Sequence, residues 1–69
     1  MTPEEIENIF TYHPPHQGQV ISYTSIRDSG KELAMTILRN CPVSAERTLA
    51  IRKIQEAVMW ANASIAINE

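Results

Sequence analysis

Tyr23, Arg27 and Lys31 stand at i, i+4 and i+8, so a helix lines up an aromatic ring, a guanidinium and an ammonium one turn apart. Two like charges a turn apart repel mildly, and an anion lying against them relieves that repulsion. A guanidinium pairs with phosphate oxygens, and an aromatic face together with a guanidinium plane can sandwich a purine base. Ser25 and Ser29 add hydroxyl donors one turn apart, and Tyr12 supplies a second aromatic just upstream. The competing reading is a solvated face, with Asp28 and Glu32 compensating the two cations and Tyr12 pinned against the body of the protein.

Other candidate chemistry is thinner. His13 and His16 are three apart, but two prolines separate them and no third ligand is evident, whereas zinc sites want three or four. Loop histidines that set chain geometry are the expected reading. Cys41 precedes a proline at a helix end with no histidine nearby, and a buried small hydrophobe is the usual role of such a cysteine. The serines lack a nucleophile-elbow motif. With only Gly18 and Gly30 there is no phosphate-binding glycine loop. We expect no catalytic residue, no metal and no cofactor.

The elements that carry these residues follow from punctuation and periodicity. The chain has 69 residues, six Lys plus Arg against eight Asp plus Glu, and one cysteine. One small domain over residues 1–69 is expected. Its net charge of −2 argues against a protein that coats DNA or RNA, and a lone cysteine allows no internal disulfide. No apolar run approaches the roughly 20 residues of a membrane span, and the acidic start, MTPEEIENIF, is unlike a secretory signal. A soluble, cytosolic protein is expected.

Thr2 and Pro3 fit a helix start, with Glu5 placed as in a capping box. Ile6, Ile9 and Phe10 then share a face for about two turns. Pro14 and Pro15 stiffen residues 11–16 into an extended connector. A second helix from about 17 to 40 carries the stripe Val20, Tyr23, Ile26, Leu33 and Ile37, widened by Ala34 and Leu38. Gly30 interrupts it, either for close packing, for a bend, or as a tolerated glycine. After a break at 40–44, Ser44 caps a third helix reaching to about 67, with Leu49, Ala50, Ile54, Ala57, Val58, Ala61 and Ile65 at helical spacing. Arg47, Arg52 and Lys53 form no stripe and read as solvated or inter-protomer ion pairs.

The expected fold is therefore all-α: a short N-terminal helix followed by a long antiparallel hairpin of two helices, each about 35 Å long. Two helices and an arm cannot enclose a core. Without disulfides or metal, self-association is the remaining way to stabilise so small a chain. Met35, Met59 and Trp60, with the small residues Ala61, Ala63 and Ala66, suit helix contacts between protomers.

FTYHPP at 10–15, Gln19, Tyr23, Ile26-Arg27, KELA at 31–34, Cys41-Pro42, Ser44, Glu46-Arg47 and EAVMWANASIA at 56–66 together span most of the chain. The pattern resembles the phage anti-CBASS cyclic-nucleotide sponge family, small helical hairpins that also occur as the hairpin domain of an anti-Thoeris sponge. The resemblance implies a non-enzymatic protein acting in the cytoplasm of the infected bacterial host. It would assemble as a homohexamer and sequester cyclic dinucleotides such as cGAMP between protomers. It implies roles for Tyr12 and Arg27, which match an aromatic near the N-terminus and a basic residue on the first long helix. His13, Pro14 and Pro15 would hold Tyr12 in place, and Tyr23 and Lys31 complete the aromatic–basic face. Cyclic trinucleotides bind some members at separate sites, through a hydroxyl that Ser29 matches and a C-terminal arginine. No arginine follows Arg52, so that second role is unmatched, and Asn62 or Asn68 could supply only uncharged hydrogen bonds. The alternative is a structural or regulatory hairpin that docks a protein partner on Met59, Trp60 and Ile65.

Overall fold

Thr2 Oγ1 accepts the Glu5 N–H at 3.1 Å and Pro3 takes the first helical position, which starts α1, Pro3–Phe10. Only this forward half of the expected capping box forms. The computed structural model describes residues 1–69. Thr11 ends α1 by donating its hydroxyl to the Glu7 carbonyl at 2.6 Å. The connector then runs without regular structure to α2, Gln17–Asn40, and a break at 41–44 leads to α3, Ala45–Asn68. There are three helices and no strand, and α2 and α3 pack against each other as the hairpin.

The tight break between the long helices has two fasteners. Ser44 Oγ accepts the Arg47 N–H at 3.1 Å, as the sequence led us to expect. Arg47 itself corrects the reading of it as solvated or inter-protomer. Its guanidinium donates to the carbonyls of Leu38 and Cys41, both at 3.3 Å. Those carbonyls lie at the C-terminal end of α2, where orphan acceptors and the negative end of the helix dipole favour a cation. Lys53 pairs within its own helix with Glu56 at 3.4 Å, and Arg52 bonds Gln55 at 3.1 Å. Cys41 is exposed rather than buried, because the break it occupies lies at the tip of the hairpin with no third element to cover it.

Gly30 faces Val58 and Ile54 of α3. A Cβ there would stand 2.7 Å from Val58 Cγ2 and 3.7 Å from Ile54 Cγ2. Close packing is therefore its role. Valine is stiff at χ1, so the helices would have to part. Overpacking typically costs about 1–3 kcal/mol, against about 1 kcal/mol recovered in helix propensity. Gly30→Ala is expected to lower the thermal midpoint by a few degrees in a circular-dichroism melt. A raised midpoint would show that the helices separate without cost.

No apolar side chain is fully buried. The Cα envelope measures 46 × 28 × 12 Å, one helix thick, so both faces of the hairpin are open. Tyr23, Ile26, Gly30, Ala34 and Ile37 of α2 are half-buried along the seam, with Ala50, Ile51, Ile54, Val58, Ala61 and Ile65 of α3. Val20, Leu33, Leu38, Leu49 and Ala57 of the expected stripes are exposed, since a lone hairpin cannot enclose them. A single neighbouring helix covers only the middle of a stripe more than 100° wide. The chain exposes 5566 Å², where a compact monomer of this mass exposes about 4,400 Å². The excess, roughly 1,200 Å², exceeds the roughly 800 Å² that each partner buries in a standard interface.

Candidate functional site

A four-residue step along an α-helix turns about 40°. Tyr23, Arg27 and Lys31 therefore climb out of the seam: Tyr23 is half-buried, while Arg27 and Lys31 are exposed. The pairing of Lys53 with Glu56 is the only ion pair in the chain. Neither Asp28 nor Glu32 comes within ion-pair distance of Arg27 or Lys31. Arg27 and Lys31 stand one turn apart with no hydrogen-bond acceptor in the chain, an arrangement suited to an anion supplied from outside.

Tyr12 is 81 % exposed at the start of the connector. The residues around it are tied down. His13, half-buried, donates its Nε2–H to the Asn8 carbonyl at 2.8 Å. Asn8 in turn donates from Nδ2 to the Ile67 carbonyl at 2.9 Å, which fastens the end of α1 to the last turn of α3. His16 caps α2: its Nδ1 accepts the Gln19 N–H and its own N–H donates to Gln19 Oε1, both at 3.3 Å. The histidines therefore set chain geometry. Arg27 lies roughly 16 Å along the helix axis from this cap, so Tyr12 and Arg27 project from different parts of one protomer.

Ser29 does not join them. Two residues along a helix amount to a 200° turn, which leaves Ser29 and Arg27 about 160° apart. Ser29 instead lines an apolar groove of about 390 Å³ on the other face of the hairpin, with Ser25, Ile26, Gly30 and Leu33 facing Ile54, Val58 and Ala61. Asn62 is half-buried, and its Oδ1 is buried without a partner. Asn68 is exposed and its Nδ2 donates to the Ser64 carbonyl at 3.0 Å. Ile65 is half-buried, which narrows the surface expected for a protein partner to Met59 and Trp60.

Sequence reasoning missed Gln19, Asn8 and the cap made by His16. The spacing of His16 and Gln19 is that of a capping box, but with imidazole in place of the usual hydroxyl or carboxylate. No helix is long and apolar enough to cross a membrane.

A flat helical hairpin with open faces, an exposed aromatic on a fastened connector and two unpaired cations one turn apart on α2 has the make-up of a small binding module. The family described as Acb2/Tad1, hairpin domain, matches residues 2–66, and the chain belongs to that family. Membership implies a sponge that counters antiphage defence, a protein that binds small signalling molecules rather than an enzyme. No curated protein and no solved structure matches the chain.

Proposed function

We propose that this protein is a phage anti-defence sponge that binds cyclic oligonucleotide second messengers intact and withholds them from CBASS effectors in the host cytoplasm. Cyclic dinucleotides such as cGAMP are the proposed ligands, held by Tyr12 and Arg27 with Lys31 and Tyr23 alongside. The observation that carries this reading is the family match over residues 2–66. The unpaired, exposed Arg27 and Lys31 support it, because a cyclic dinucleotide brings two phosphates and two base faces. The unit is proposed to be a single hairpin domain assembled as a homohexamer, in which two-fold interfaces offer each half of the ligand the same residues. Ser29, on the opposite flank, is the proposed hydroxyl contact for a cyclic trinucleotide.

The test is isothermal titration with cGAMP, followed by recovery of the ligand from denatured protein. Binding near one ligand per two chains with release of intact cGAMP is the expected result. Recovery of hydrolysed nucleotide would sink the sponge. A second reading, a hairpin that docks a protein partner, draws on the exposure of Met59 at 64 % and Trp60 at 70 %. It expects no heat across a panel of cyclic di- and trinucleotides, and a monomer or dimer by light scattering.

A further inference from the structure

Gln19 is the only buried residue of the chain, 4 % exposed, in a molecule with no buried apolar side chain. Burying an amide is unfavourable unless its polar atoms find partners, and here they do. Oε1 accepts the His16 N–H at 3.3 Å, and Nε2 makes a longer contact of 3.5 Å to the Ile65 carbonyl in α3. The backbone N–H of Gln19 donates to His16 Nδ1. One buried side chain thus joins the end of the connector, the first turn of α2 and the C-terminal part of α3. Upstream, the Asn8 side chain reaches the Ile67 carbonyl, while the Asn8 carbonyl accepts from both His13 Nε2 and, at 3.4 Å, the Thr11 N–H. The connector is therefore fastened at both ends to the same end of α3, and Tyr12 lies between the fasteners.

We infer that Gln19 and Asn8 are positioning residues that latch the connector carrying Tyr12 onto the end of α3. The inference rests on the proposed binding role of Tyr12 for its consequence to the ligand, but the latch can be observed without ligand. A binding aromatic already held in place loses less freedom when a base stacks on it. His16 Nδ1 is the acceptor that closes the latch on its connector side.

The full chain carrying Gln19→Leu keeps a side chain of similar size in the seam and removes both side-chain ties. Amide relaxation by NMR is expected to show the order parameters of Tyr12 and His13 falling from about 0.85 to below about 0.6, with residues 22–64 unchanged. The dissociation constant for cGAMP is expected to rise about three- to tenfold. Unchanged order parameters at Tyr12 and His13 would overturn the latch. So would a loss of order spread evenly through α2 and α3. If wild type binds no cGAMP while these order parameters move as expected, the latch stands and the sponge reading fails. If the variant loosens Tyr12 and binds cGAMP as tightly as wild type, the latch does not position Tyr12 for the ligand.

Discussion

Arg27→Ala is expected to weaken cGAMP binding by at least about a hundredfold, the largest effect of any single substitution on the proposed site. A hydrogen bond to a charged group contributes about 1.5–3 kcal/mol. In a two-fold site one substitution removes the guanidinium from both halves of the ligand, so the loss doubles to about 3–6 kcal/mol, a factor of about 10² to 10⁴. Tyr12→Ala should follow closely, since stacking contributes about 1–3 kcal/mol per base, while Tyr12→Phe keeps the ring and should bind nearly as wild type. The fold provides the control. The side chains of Arg27 and Tyr12 are exposed and make no hydrogen bond or ion pair within the chain, so their replacement should change stability by no more than about 0.5 kcal/mol. Titration calorimetry beside a thermal melt reads both quantities. Wild-type affinity in Arg27→Ala would move the site elsewhere on the hairpin. Lys31→Ala separates two geometries: a loss as large as that of Arg27→Ala means that the phosphates lie between the two cations. A loss of under about threefold leaves Lys31 as a solvated neighbour, of the small value usual for an exposed charge.

The placement of Arg27 and Lys31 shows what could be read from the sequence. Their spacing alone set two cations on one flank of a helix, and the ends of that helix were marked by Pro15 on one side and Pro42 on the other. Ser44 was recognisable as a cap because a hydroxyl before a helix has one common use. The opposite placement of Ser29 was also readable, since a two-residue step crosses the helix whatever packs around it. What could not be read depended on contacts between elements distant in sequence. Gln19 looks like one more polar residue at the start of a helix, and only the approach of the last turns of α3 buries it. Arg47 looks like a surface charge until the hairpin turn folds it back onto the carbonyls of Leu38 and Cys41. Periodicity marked the apolar stripe correctly but not its occupied width, because Leu33 and Leu49 belong to it by spacing and still remain exposed. Those flanks leave the site half described: Tyr12 and Arg27 project from different parts of one protomer, and a second copy is the proposed means of bringing such a pair together.

Leu33→Asp is expected to dissociate that assembly. Leu33 lines the groove between α2 and α3 and is 52 % exposed in the lone hairpin. A carboxylate there would stay hydrated in a single chain and cost little beyond helix propensity, under about 1 kcal/mol. Once a second chain covers the groove, the same carboxylate must be buried without a partner in every protomer, and breaking into water-exposed subunits becomes the favourable outcome. Sedimentation velocity should show wild type as an oligomer at micromolar concentration and the variant as a species near the 7.8 kDa of one chain. Helical circular dichroism should fall in parallel, because a hairpin with no buried apolar side chain has little to hold α2 and α3 together. Binding of cGAMP should be lost along with assembly although Tyr12 and Arg27 are intact. A variant that remains assembled would show that the groove is not the contact surface. A wild type that is monomeric and fully helical would mean that roughly 1,200 Å² of excess surface can stay wet, and would remove the shared interface on which the proposed site depends.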